Sequence, residues 1–273
     1  MKKFDMHCHT KEGSIDASVP IDEFIQTLID RGYGGMLISD HDSYNGYREW
    51  KRNIKGKKYQ DFVVLKGIEY DTVDAGHILV IMPENVKLRI LECRGLSVAR
   101  LIHIVHKHGG ILGPAHPCGE KYLSFITTKQ HSRYLFALVR KFDFMEVFNA
   151  SEPPISNVKA FGWASTFQLP GFGGSDAHKK DCIGLGYAKL PKTIKTESDL
   201  IAFVRDRPVI DCGGVRYGKT LKDKMGKWNK ILVYAFFVYN KVLSLAKTKK
   251  RRNEIGHVQY VDDRKKNSKQ KYV

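Results

Sequence analysis

Short strand-like runs, most of them apolar on consecutive positions, punctuate the chain at 4–9, 35–40, 62–67, 77–82, 111–116, 143–149 and 171–176. Strands with one wet face alternate apolar and polar positions. Short continuous runs mark strands covered on both faces, as in parallel sheets. Between them lie stretches with helical spacing, at 21–31, 96–108, 132–141 and 156–167. The first follows Pro20 and stops at Gly32; in the second, Leu96, Ala99, Leu101, Ile102 and Val105 line one face. Strand–helix alternation at this pitch predicts a parallel α/β fold, most simply a barrel.

The polar residues that close these runs change the picture from architecture to chemistry. The first run ends in His7-Cys8-His9, and the second runs into Asp40-His41-Asp42. The third leads to Glu69, His77 opens the fourth, the fifth ends at His116, and the seventh gives Asp176-Ala177-His178. Side chains alternate along a strand, so His7 and His9 point to one side, as do Asp176 and His178. Barrel enzymes carry their chemistry at the carboxyl ends of the strands, where these groups would converge. Eight imidazole and carboxylate ligands suit Zn, Mn or Fe, and exceed the four that one zinc needs, which points to more than one divalent ion.

These motifs resemble the PHP (polymerase and histidinol phosphatase) family of metal-dependent phosphoesterases. The resemblance covers roughly residues 1–212 and rests on Asp5-Met6-His7-Cys8-His9-Thr10, Ser39-Asp40-His41-Asp42, Gly67-Ile68-Glu69, Gly76-His77, Ala115-His116-Pro117 and Gly174-Ser175-Asp176-Ala177-His178. It implies a distorted (β/α)7 barrel with two or three divalent ions, Mn, Zn or Fe, at the strand ends. The ligand pattern it implies gives one ion to His7, His9, Glu69 and Asp176. A second shares Glu69 and adds His77 and His116. A third takes Asp16, His41 and His178, with Glu12 a competitor for the Asp16 place. A carboxylate has two oxygens and can bridge, which an imidazole with one free lone pair cannot. The implied reaction is hydrolysis of phosphomonoesters, nucleotides or short nucleic acids by metal-activated water, with Asp40 and Glu69 as catalytic positions. Histidinol-phosphate phosphatase is the alternative among enzymes, and a non-catalytic metal-stabilised binding module the alternative outside them.

Other residues carry weaker signals. Arg48, just after the second strand, is placed to grip phosphate or to start a solvated helix, and Asn149 is a substrate-contact candidate near a strand end. Glu146 either faces the site or caps a loop. Asp40 or Asp42 would orient a ligand imidazole from behind. Cys8, between the two histidines, reads as a core thiol, and His103 and His106 as surface residues.

Charge then divides the chain. Residues 215–273 hold 17 Lys and Arg against 4 Asp and Glu, a net +13 of the total +17. The expected organisation is a barrel at 1–214 and a basic C-terminal helix with a flexible tail at 215–273. The apolar run 231–239 is far shorter than the ~20 residues of a spanning helix. It would pack on the barrel, lie on an anionic membrane surface, or contact a partner or nucleic acid. A phosphorylated small molecule or short oligonucleotide is the expected substrate-side partner. Five cysteines at irregular spacings, and no secretory leader, favour a reducing cytoplasm, with the tail allowing peripheral membrane attachment.

Overall fold

The computed structural model describes residues 1–119, 124–125, 135–217, 238, 242 and 258–260. The chain opens with β1 (Lys2–Cys8), buried from Phe4 onward. Helix α1 (Ile21–Asp30) follows; it buries Ile21, Phe24, Ile25 and Leu28, a spacing that puts all four on one face. Gly32, at φ +76°, then turns the chain into β2 (Tyr33–Ile38). Helix α2 (Asn45–Glu49) runs on into a π turn, Trp50–Ile54, before β3 (Val63–Asp71). Strands β4 (His77–Ile81) and β5 (Val86–Leu88) precede α3 (Val98–Lys107) and β6 (Ile111–Pro114). Next come α4 (Leu135–Val139), β7 (Met145–Asn149), α5 (Pro154–Phe167) and β8 (Gly171–Gly174). Strand β9 (Gly186–Leu190), α6 (Glu197–Arg205), β10 (Cys212–Gly214) and β11 (Val258–Tyr260) complete the described elements.

A seven-stranded sheet in the order β10-β9-β1-β2-β3-β4-β6 forms the wall. Strands β1, β2 and β3 run parallel, whereas β4, β6, β9 and β10 enter by antiparallel pairings. The parallel pair β7–β8 stands apart as its own sheet. It is stitched to the wall at both sides: Asp143 N donates to Leu112 O at 2.9 Å, and Cys8 bridges Ala177 in parallel register. The result is an α/β fold with a curled, mixed half-barrel.

The sheet is therefore not the uniformly parallel one expected. Strand β4 follows β3 through only residues 72–76, and a parallel crossover needs a dozen residues or more, so β4 turns back as a hairpin. Its five residues are all buried, which removes the alternation that would have betrayed an antiparallel strand. Strands β5, β9, β10 and β11 were not anticipated; three of them are only three residues long. Strand β11, from the basic C-terminal region, pairs antiparallel with β5, Val258 opposite Leu88. The run 231–239 lies outside the described residues except for Val238. Among the described residues no helix is long and apolar enough to cross a membrane.

Three apolar clusters hold the strands against the helices. One surrounds Tyr70, Ile78, Leu101 and Val105; a second joins Phe4, Leu65, Phe144 and Leu200; a third joins Phe24, Leu28, Met36 and Trp50. Fully burying such side chains contributes roughly 1.5–3 kcal/mol each.

Candidate metal centre

The centre assembles where β1, β2, β3 and β8 end together. Parallel pairing puts the carboxyl ends of β1, β2 and β3 side by side, and the bridge His41–Glu69 continues the β2–β3 register beyond the strands. Strand β4 enters from the other direction, so its first residue, His77, and the end of β6 reach the same rim. Gly174 allows β8 to approach: a Cβ there would lie 2.3 Å from His7 Cβ and 2.6 Å from His7 N. Asp176 N then donates to His7 O at 2.8 Å. Asp176 and His116 both adopt positive φ, +52° and +31°, a backbone state that costs energy and clusters at functional sites.

Glu69 sits at the middle, 1% exposed. Its Oε1 lies 2.9 Å from His77 Nδ1 and 3.1 Å from His116 Nε2. Its Oε2 lies 3.0 Å from His41 Nδ1, 3.3 Å from His9 Nε2 and 3.4 Å from His7 Nε2. Asp176 Oδ1 faces His9 Nε2 at 3.3 Å and His7 Nε2 at 3.7 Å. Asp16 is half exposed, and its Oδ2 lies 3.3 Å from His178 Nε2 and 3.6 Å from His41 Nε2. All nine residues expected as ligands are thus brought to one place. Glu12 is placed differently: its carboxylate accepts from Ile21 N and so caps α1.

The donor set fits divalent cations. Three groups, His7-His9-Glu69, His41-Glu69-His77 and His9-His41-His178, each hold their ligand atoms within 4.8 Å of one another. Glu69 Oε2 is buried yet makes no hydrogen bond. A buried carboxylate oxygen left so costs several kcal/mol unless a cation answers it. The His7 and His9 Nε2 atoms face one another at 3.0 Å, a geometry a shared cation relieves.

Electrostatics follow from this crowding. Burial opposes charge on Glu69, but His77, His7 and His41 hold its carboxyl well below the ordinary range. Burial likewise opposes charge on Asp176, which His7, His9 and His178 hold well below it. For His7 burial is outweighed by Glu146, Glu69 and Asp176, which hold it well above the ordinary imidazole value. His9 goes the other way, down to about 4, through burial and then through His178 and His41.

A ring of supporting groups surrounds the ligands. Asp40 accepts from Thr10 N at 2.6 Å, from Gly46 N, and from the Thr10 and Ser14 hydroxyls; burial pushes it up to about 6. It reaches the histidines through Ser14, whose Oγ lies 3.2 Å from His9 Nδ1 and accepts from His41 N. Asp42 ties Asp71 N and lies 3.2 Å from Arg94 Nε. Arg48 makes a two-pronged pair with Glu92, at 2.6 and 2.5 Å. Asn149 Nδ2 donates to Asp176 Oδ2 and to Glu146, so it is built into the centre's frame. Ser151 Oγ donates to Asp176 Oδ2 at 2.9 Å. Ser14 and Ser151 are hydroxyls in loops, and nothing in their sequence spacing could have singled them out. Cys8 packs in the third apolar cluster, its thiol raised by burial. His106 binds Asp143 at the surface, and no group of three potential metal ligands includes it among the described residues.

A family model described as PHP domain matches residues 5–150, and one described as PHP-associated matches residues 154–209. No curated protein matches the chain. Similar solved structures include a protein regarded as a metal-dependent phosphoesterase from Bifidobacterium adolescentis, 17% identical with a TM-score of 0.55, over 76% of this chain and 96% of that one. PsfC from Pseudomonas syringae is 18% identical with a TM-score of 0.57, over 89% and 98%. A lesion-specific endonuclease from Pyrococcus furiosus is 15% identical with a TM-score of 0.56, over 77% of this chain and 57% of that one. At these identities the likeness is one of fold.

Proposed function

Since the chain belongs to the PHP family, we propose that it is a metal-dependent phosphoesterase acting on phosphomonoesters, nucleotides or short nucleic acids. The observation that carries this reading is Glu69. Its two oxygens address separate sets of imidazoles, His77 and His116 on one side and His7, His9 and His41 on the other. That is the arrangement a carboxylate bridging two ions requires. His7, His9, Glu69 and Asp176 would hold one ion, Glu69, His77 and His116 a second, and Asp16, His41 and His178 a third. Such ions would supply Lewis acidity toward water and toward the phosphoryl oxygens.

The chain's own residues do the rest. Asn149 and Ser151 hold Asp176 by its outer oxygen. Ser14, backed by Asp40, holds His9 and the backbone of His41. Asp16 and His41 lie at the open side, where the solvent-facing carboxylate leaves room for a substrate. A fold shared with a lesion-specific endonuclease, and a basic C-terminal region, favour nucleic acid or nucleotide over histidinol phosphate. The test is a screen of phosphate substrates with metal-reconstituted protein and product analysis. Hydrolysis of nucleotides or oligonucleotides, abolished by chelator and restored by divalent metal, is expected. Release of phosphate from histidinol phosphate alone would overturn the nucleotide reading, and no turnover with any metal would overturn the enzyme.

A further inference from the structure

Glu146 lies on β7, outside every ligand group, and is 1% exposed. It is an unusual place for an acid, because a buried carboxylate needs several donors. They are all present. His7 Nδ1 lies 2.9 Å from Oε1, and His116 N donates to Oε2 at 2.5 Å. Asn149 Nδ2 reaches both oxygens, at 3.2 and 3.1 Å. Two of these partners belong to ligands on separate strands, His7 on β1 and His116 just past β6. The third, Asn149, donates onward to Asp176.

We infer that Glu146 is the positioning residue of the metal centre: it accepts from His7 Nδ1 and His116 N, so that His7 presents a bare Nε2 and the β1 and β6 ligands keep one separation. The chemistry is that of an imidazole with two nitrogens. The one hydrogen-bonded to a carboxylate carries the proton, which leaves the other free to ligate. His7 Nε2 is the atom that faces Glu69 and Asp176. Among the described residues the neighbours of the Glu146 oxygens are His116 N, Asn149 Nδ2 and His7 Nδ1, the last a donor in the inferred tautomer, so an amide cannot serve them all as the carboxylate does. Glutamine would turn an NH2 group either on His116 N–H or on His7 Nδ1. In the second case it would force the His7 proton onto Nε2, where it blocks ligation.

The inference rests on the proposed metal site, and its test separates the two. Zinc is used as the probe, with the full chain. Its affinity is measured by competition with a chelator for wild type, Glu146→Gln and a control, Glu197→Gln, whose buried carboxylate serves Lys66 N far from the histidines. The nitrogen resonances of His7 in the zinc-loaded wild type give its tautomer. Expected are Nδ1–H with Nε2 bound to zinc, and affinity weakened about 10- to 100-fold in Glu146→Gln but not in the control. Equal affinity in a folded Glu146→Gln variant would overturn the inference while leaving the metal site standing. Ligation of wild-type His7 through Nδ1 would overturn it even if the variant failed to fold. Wild type that binds no zinc would sink the metal site and this role together.

Discussion

At the scale of single residues, Glu69 and Asp16 make a sharp contrast. Glu69 is buried and touches five imidazoles, whereas Asp16 is half exposed and touches two. Glu69→Gln should therefore cost at least one bound ion and more than about 100-fold in activity, since ligands matter more than the outer partners whose loss costs 10- to 100-fold. Asp16→Asn should lose less of both. Elemental analysis beside kcat measures it, and equal small losses would disprove the bridging role. Much of this centre was legible from the chain, because the ligand residues cluster at the ends of short apolar runs, with His7 and His9 at the end of β1. The period of two expected for Asp176 and His178 does not apply, since both lie past β8 and Asp176 has φ +52°. Glu146 was visible only as an acid near a strand end. Whether it faced inward depended on how β7 docks beside β6, which no local pattern encodes.

At the scale of elements, α6 shows what burial does to charge. Thr196 and Asp199 form a reciprocal cap at its start, and Glu197 in its first turn is buried with its Oε1 2.5 Å from Lys66 N. Burial raises the Glu197 carboxyl above the ordinary 4.5. A raised folded-state value means that the folded chain holds this proton more tightly than the unfolded one. The stability it contributes is fully present below about pH 4.5 and is lost as pH rises through the folded value. Glu197→Gln removes that loss, so the wild type should fall relative to the variant in melting temperature between acid and neutral pH. A difference that stays constant across this range would refute the sign. Helix α6 was not read from the sequence, although Leu200, Ile201 and Val204 are buried along one face and Phe203 packs against the same cluster. The parallel strands β1 to β3 were legible as runs without strict apolar–polar alternation. The hairpin β3–β4 was not, since a fully buried antiparallel strand has the same signature.

At the scale of the whole molecule, charge and chemistry sit in different parts of the chain. The ligands end at His178, while the excess of +13 begins after residue 214. Tyr217, near the start of this basic stretch, donates from its hydroxyl to Ser175 O, next to the ligand Asp176, and its N–H donates to Ala150 O. The basic stretch therefore begins beside the metal centre. Truncation after Tyr217 keeps those bonds, so turnover of a small phosphate ester should be retained. Affinity for single-stranded oligonucleotide should fall, and the steep salt dependence of the full chain should flatten. Unchanged oligonucleotide affinity with unchanged salt slope would remove nucleic acid as the tail's partner.

The order of strands in the wall has a consequence for how the chain is made. Strand β1 is made before the other described elements, yet it lies in the interior of the sheet, with Lys2, Lys3 and Phe4 paired to residues 190, 189 and 188 of β9. Its other flank meets β2 early, but this flank stays open until β9 has left the ribosome. At bacterial-to-eukaryotic elongation speeds of about 5–20 residues per second, that is a wait of roughly 10 to 40 s. For that interval the backbone edge of Lys2, Lys3 and Phe4 is without its partner strand. A fragment ending at residue 150, where the PHP domain match ends, therefore lacks the strand that covers this flank of β1.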